Sequence, residues 1–263
     1  MRLGFDPGWA QGYKSASQRA RKLTETWFEA EMYCVCCGGS PLRPHPNNAK
    51  GNDFFCPVCA IHVELKSANK PIAGTVPDGA FSSMLERLRQ PGGAPHLALL
   101  HYSARSLSVR DLLLVPGSFL TESMILPRPP LKPPARRAGW QGSNIKIADL
   151  PAAGRVAVVL NGRVIPKTDV LARMRRAAGV QGNLAARNWQ VDTLRCIERL
   201  GAEFSLADVY RFEEEFRRRY PGNAHIREKL RQQLQRLRDA GFIEFLGAAG
   251  IVGAMPDTSG RCF

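Results

Sequence analysis

The chain has 263 residues, 44% of them hydrophobic, and a formal net charge of +14. That is enough apolar material for the cores of one or two domains, and the cation surplus favours a polyanionic partner, because basic surfaces release counterions condensed on nucleic acid. Apolar runs such as Leu97–Leu100 and Val156–Leu160 fall far short of the roughly 20 residues that span a bilayer; no apolar leader follows Met1 and Arg2, so the expected compartment is the cytosol, where seven cysteines favour metal over disulfides.

From Ser15 to Met32 the apolar residues Ala20, Leu23, Trp27, Phe28 and Met32 recur at helical spacing, which predicts an amphipathic helix leading to Cys34. Residues 38–52 read as a loop, and Asp53-Phe54-Phe55 and Ile61–Lys66 read as two short strands with a hairpin tip between them. Asp78 is placed as the N-cap of a helix that reaches about Arg89 and stops at Pro91-Gly92-Gly93. Strands are expected at His96–Tyr102, Leu112–Val115 and Val156–Leu160, giving an α/β unit with a mixed sheet.

Residues 127–137 are proline-rich and basic, so they form an extended loop that serves either as a linker or as a phosphate-contacting arm. The Ala- and Arg-rich stretch Met174–Arg187 reads as an interdomain linker. Beyond it, Trp189–Leu200, Leu206–Tyr220 and Ile226–Ala240 are helical, and Phe242–Phe245 is strand-like with a turn at Gly247, the outline of a winged helix. The expected organisation is a first unit at 1–182, a DNA-binding unit at 183–250 that folds by itself, and a tail at 251–263. Residues 1–182 carry 24 Lys+Arg against 12 Asp+Glu, so the basicity lies in the first unit.

Four cysteines form two CxxC knuckles, Cys34 with Cys37 and Cys56 with Cys59. Each knuckle turns two thiolates toward one point, and the pair suits a closed tetrahedral zinc site of structural type. Cys36, His45 and His62 are alternative ligands, Cys196 reads as a core residue, and Cys262 has no assigned role. Asp53 precedes the second knuckle, and Glu64 and Lys66 follow it on one strand face, since residues i and i+2 point the same way. Two carboxylates from adjacent strands can share Mg2+, with Lys66 beside the attacking water; the alternative is three solvated strand residues. In the last helix Ile226, Leu230, Leu234 and Leu237 form an apolar stripe, leaving Glu228, Gln232 and Gln235 opposite and His225 and Arg231 at its edges. That face is either simply solvated or a base-reading surface, in which glutamine amides contact adenine edges. Trp140 is either a core aromatic or an apolar surface for methyl groups.

Tyr13-Lys14-Ser15, Thr24-Glu25, Tyr33-Cys34, Cys37-Gly38, Asn47-Asn48, Asp53-Phe54, Cys56, Cys59, Glu64-Leu65-Lys66-Ser67, Asp78-Gly79-Ala80 and Ala135-Arg136-Arg137-Ala138-Gly139-Trp140 occur in an order that resembles the DpnI-type methyl-directed restriction endonucleases. The likeness continues through Tyr210-Arg211-Phe212 and Arg231–Gln235 to about Phe245. It implies a PD-(D/E)xK nuclease core with a four-cysteine zinc site, followed by an α+β winged helix. It also implies a monomer that cuts double-stranded DNA at 5′-GATC when the adenine is N6-methylated. By the same resemblance Asp53, Glu64 and Lys66 form the active site, Asp53, Glu64 and Leu65 hold Mg2+, and Trp140 sits between the two methyl groups. Arg136, Arg137, Arg231, Gln232 and Gln235 are the other expected DNA contacts. Two competing readings are a non-catalytic methyl-DNA-binding protein with decayed nuclease strands, and a transcription factor resting on the winged helix alone. The first is opposed by the intact Asp53, Glu64 and Lys66, and the second leaves the first 180 residues or so unexplained.

Overall fold

A computed structural model describes residues 1–45, 52–90 and 93–246 and the backbone of 251–254. Asn47-Asn48, Pro91-Gly92, the turn at Gly247 and residues 255–263 with Cys262 lie outside the described residues. The first helix, α1 (Ala16–Glu31), buries Leu23, Thr24, Trp27 and Phe28, the face its spacing predicts. Strands β1 (Arg43–Pro44), β2 (Phe54–Phe55) and β3 (His62–Ala68) follow, then β4 (Thr75–Ala80), α2 (Phe81–Arg89), β5 (His96–Ser103) and β6 (Ser108–Val115). The unit continues through β7 (Ile125–Pro127), β8 (Gly142–Lys146), β9 (Val156–Leu160), β10 (Arg163–Val164) and α3 (Lys167–Ala177).

Seven of these strands form one sheet in the order β1-β2-β3-β5-β6-β9-β10. Strands β3 and β5 pair in parallel, Glu64 against Leu97 and Lys66 against Leu99, while the neighbouring pairs run antiparallel. The sheet is therefore mixed, as expected, and buried on both faces. One core gathers α1 residues with Val63, Ala98, Leu100, Leu112 and Val158; the other gathers α2 residues with Leu97, Leu99 and Leu113. The excursion between β3 and β5 supplies β4 to a second sheet, of order β4-β8-β7.

Three expectations are corrected here. Asp78 does not cap α2: it lies within β4, opposite Ser143 of β8, and Ala80 takes the cap position with no side-chain bond. Met174–Arg187 is not a linker, because Met174 and Ala177 are buried in α3 and Arg187 is buried in α4 (Leu184–Ile197). Residues 251–254 are not tail. They form β13 (Ile251–Ala254), which pairs on one side with β11 (Glu203–Ser205) and on the other with β12 (Ile243–Leu246).

The remaining helices are α5 (Leu206–Tyr210), α6 (Glu213–Arg219) and α7 (Ile226–Asp239). The expected middle helix is thus two, broken at Arg211-Phe212. A capping box at Ser205 and Asp208 starts α5, and three glutamates open α6 where the helix dipole favours negative charge. The first and second units share one apolar cluster, which runs from Met84, Leu88 and Phe119 to Trp189, Leu234 and Phe242. Phe119 and Phe242 meet edge to face at 6.3 Å, Glu198 accepts from the Ala152 amide at 2.7 Å, and Arg195 pairs with Asp149 at 3.4 Å. Among the described residues no helix is long and apolar enough to cross a membrane.

Candidate active site and metal centre

The two knuckles are built alike. In the first, the amide of Gly38 donates to the Cys34 carbonyl at 2.8 Å; in the second, the amide of Ala60 donates to the Cys56 carbonyl at 2.9 Å. Both closing residues are left-handed, Gly38 at φ 78° and Ala60 at φ 59°, so the second knuckle carries a strain that glycine avoids in the first. The Sγ atoms of Cys34 and Cys59 lie 3.5 Å apart and those of Cys37 and Cys56 3.6 Å, with all four within 4.8 Å of one another. A tetrahedron of about 2.3 Å zinc–sulfur bonds has edges of about 3.8 Å, so the set can coordinate a metal. Amides of Cys37, Gly39 and Val58 point at the sulfurs from 3.4 to 3.5 Å.

Each alternative ligand has a partner outside the four-sulfur set. Cys36 lies 3.3 Å from His96 Nε2, while His96 Nδ1 accepts from the Gly117 amide at 3.1 Å. That second bond fixes the proton on Nε2 and turns it toward Cys36. His45 and His62 stack on each other, with Nε2 to Nδ1 at 2.9 Å.

Beyond the second knuckle, Asp53 Oδ2 accepts from the Leu65 amide at 2.7 Å, which ties the residue before β2 to the middle of β3. Asp53, Glu64, Leu65 and Lys66 border one open cleft with Arg21, Thr24, Glu25 and Ser67. The sequence-predicted trio is thereby brought together. Lys66 Nζ stands 2.7 Å from Glu64 Oε1 and 2.9 Å from Asp78 Oδ1. Arg87 closes the group, 3.4 Å from Glu64 Oε2 and 3.6 Å from Asp78 Oδ2.

Burial pushes the Glu64 carboxyl up to about 7; Lys66 pulls it down and Asp78 pushes it further up. For Lys66, burial works against the ammonium, but Glu64 and Asp78 outweigh it and raise its pKa. Burial likewise opposes the Asp78 carboxylate, and Lys66, Glu64 and the Gly79 amide together more than offset it, so its pKa is lowered.

Sequence reasoning missed Asp78, Arg87 and Glu25 as members of this neighbourhood. The available signal for Asp78 was alternation, because Val76 and Asp78 are buried while Thr75, Pro77 and Gly79 are exposed; the Gly79-Ala80-Phe81 helix start concealed it. Glu25 is held by Arg21 one turn earlier at 2.6 Å.

The basic segment 127–137 is not a linker between units. It lengthens the β7–β8 hairpin, with the Arg128 amide donating to Gly142, Leu131 to Trp140 and Gly139 to Leu131, at 2.8 to 3.0 Å. Arg128, Lys132, Arg136 and Arg137 are exposed, and among the described residues none has a carboxylate partner. Trp140 is half-buried; the Arg137 guanidinium lies 4.9 Å from its ring centre, and the ring covers Gly142, where a Cβ would fall 2.9 Å from it. In the second unit, Arg231, Gln232 and Gln235 are exposed on α7, and Gln233 is buried beside the apolar stripe. Lys229 donates to Gln232 Oε1 at 2.8 Å, and Arg231 lies over the Tyr210 ring at 5.7 Å.

Residues 1–182 match the family described as DpnI, the Dam-replacing family. The chain belongs to that family. Residues 185–250 match the C-terminal helix-turn-helix domain of the DpnI family, so the second unit is a DNA-binding one. Membership in the DpnI family makes the chain a nuclease in general terms, and the four-cysteine cluster is capable of coordinating a metal ion.

Proposed function

We propose that the chain is a methyl-directed endonuclease that hydrolyses double-stranded DNA at 5′-GATC when the adenine carries an N6-methyl group. The observation that carries this reading is the convergence of Asp53, Glu64 and Lys66 on one cleft, in a chain that matches the DpnI family along both units. The carboxylate pair and the lysine on a mixed sheet support a PD-(D/E)xK core. The three helices followed by a three-stranded sheet support a winged helix.

Asp53, Glu64 and the Leu65 carbonyl offer hard oxygen donors of the kind Mg2+ prefers, and the cleft they border is open. A divalent cation held there would neutralise charge at the scissile phosphate and would lower the pKa of a bound water. Lys66 orients the attacking water and steadies the charge that develops on the phosphate. Glu64 must leave Lys66 to serve as a ligand, since both of its oxygens face cations at 2.7 and 3.4 Å. Cys34, Cys37, Cys56 and Cys59 hold zinc in a closed site with no position left for chemistry. Its role is to fix Asp53, which lies three residues before Cys56.

DNA enters along the cationic hairpin of Arg136 and Arg137, and Trp140 covers the methyl groups with its indole face. Arg231, Gln232 and Gln235 of α7 read the same sequence from the major groove, the two glutamines through adenine edges. The enzyme acts as a monomer, with two methyl readers in one chain.

The test uses one plasmid prepared with and without adenine methylation, incubated with the full chain and Mg2+. Fragments are expected from the methylated preparation alone. Lys66→Ala should bind a methylated duplex as tightly as the parent and cleave it at least about 100-fold more slowly. Binding without cleavage by the parent would instead establish the non-catalytic methyl-DNA-binding reading.

A further inference from the structure

One wall of the cleft is helix α1, and the reaction as described uses none of it. Thr24 is buried there, and its hydroxyl lies 3.1 Å from that of Ser67, which ties α1 to β3 beside Lys66. About one turn earlier on the helix stands Arg21, whose side chain is 69% exposed. Of the cations of α1, Arg19, Arg21 and Lys22, only Arg21 borders the cleft.

The Arg21 guanidinium is anchored at one end. Its Nε donates to Glu25 Oε1 at 2.6 Å, and neither terminal nitrogen has a hydrogen bond among the described residues. Glu25, and to a smaller extent Asp53, holds its pKa above the ordinary value. Helix support does not account for the pair: an i, i+4 pair with the base first is the weaker order, and an exposed pair adds little stability. A guanidinium held by Nε keeps its two terminal nitrogens as a free fork, the geometry that matches two oxygens of a phosphate. Lys66 borders the cleft from β3, so a phosphate seated there has a cation on each wall. We propose that Arg21 grips the phosphodiester in the cleft through its terminal nitrogens, and that Glu25 is a positioning residue that presents the fork. The inference rests on the nuclease reading above.

Two readouts on the full chain separate a phosphate grip from a packing role, and the exposure of Arg21 lets its variants fold. The first is affinity, without divalent cation, for methylated duplexes that each carry one neutral methylphosphonate in place of one phosphate of the site. At the gripped phosphate the replacement should weaken the parent about tenfold more than it weakens Arg21→Ala; at the other positions the two proteins should respond alike. The second is single-turnover cleavage at saturating Mg2+ and protein. Arg21→Ala should be about 100-fold slower, and Arg21→Lys should recover part of the loss, since it keeps the charge without the fork. Glu25→Gln should cost less than Arg21→Ala and nothing further in an Arg21→Ala background, because Glu25 acts through the arginine.

The same methylphosphonate profile in both proteins, or an Arg21→Ala that cuts within about threefold of the parental rate, would overturn the grip. A further loss from Glu25→Gln in the Arg21→Ala background would overturn the positioning role and give Glu25 a contact of its own. A parent that binds the methylated duplex and never cuts it would remove the nuclease reading, and the methylphosphonate profile would still decide for or against Arg21.

Discussion

Arg187, in the first turn of α4, donates to the carbonyl of Leu88 in α2 across 2.6 Å. The guanidinium belongs to one unit and the carbonyl to the other, and Arg187 is 4% exposed. A Cβ on Gly93 would fall 2.0 Å from the arginine nitrogen, so glycine makes the space it occupies.

Arg187→Ala should lower the stability of the whole chain by about 1–3 kcal/mol, because a buried acceptor loses its partner. The segment 183–250 alone should be unstable. That segment lacks β13 and exposes Phe242, which packs on Phe119. Thermal melting of the variant and the amide NMR spectrum of the isolated segment check both points; a dispersed, cooperative spectrum from 183–250 would show that the shared core is dispensable.

Cys56→Ser removes one of four sulfurs from a site whose binding energy is also folding energy. Zinc content should fall from about one per chain toward zero, with early melting of the first unit and loss of cleavage. Elemental analysis beside a melting curve decides it, and a zinc-free variant with parental activity would show that the centre does not hold Asp53.

Glu64 supplies a pH dependence of known sign. Its carboxyl titrates at about 7 in the folded protein against 4.5 ordinarily, so the folded state binds more protons between those values. Its stabilising contribution is complete below about pH 4.5 and is lost as pH rises through 7, a change of about 3 kcal/mol. In Mg2+-free buffer, Glu64→Gln should flatten that part of the stability curve. Cleavage should run the other way and rise through pH 7, since a metal ligand must be ionised. Chemical denaturation from pH 5 to 8 measures the first effect, and a parallel slope in both proteins would assign the titration elsewhere.

Trp140 and Gly142 are a matched pair, as the ring occupies the space a Cβ at 142 would need. Trp140→Ala should lower the ratio of cleavage rates on methylated and unmethylated duplex by roughly tenfold or more, each buried methyl being worth on the order of 1 kcal/mol. Gly142→Ala should shift the ring and reduce the same ratio with the indole still present. Ratios unchanged in both variants would make Trp140 a packing residue and move methyl reading to other side chains.

The sequence announced what depends on spacing. The α1 stripe, the two CxxC knuckles and the i, i+2 pair on β3 are local patterns, and each lies where its period requires. What it concealed depends on non-local pairing. Asp78 reads as a helix cap because Gly79 and Phe81 follow it, and only its pairing with β8 makes it a strand residue facing Lys66. Arg187 sits in an Ala- and Gly-rich stretch that looks like a linker, and nothing nearby hints at a carbonyl 99 positions earlier. Helical period separates exposed Gln232 and Gln235 from the apolar stripe of α7, whereas Gln233 is buried at its margin.

The position of β13 has a consequence for biosynthesis. The central strand of the small sheet is contributed by residues 251–254, so β11 and β12 have no partner between them until residue 254 has left the ribosome. Both cysteine knuckles are complete by residue 59. At a synthesis rate of about 5–20 residues per second, roughly 10 to 40 seconds separate the two events. The four-cysteine cluster and the cleft beside it can therefore be assembled on a nascent chain whose second unit is still unclosed.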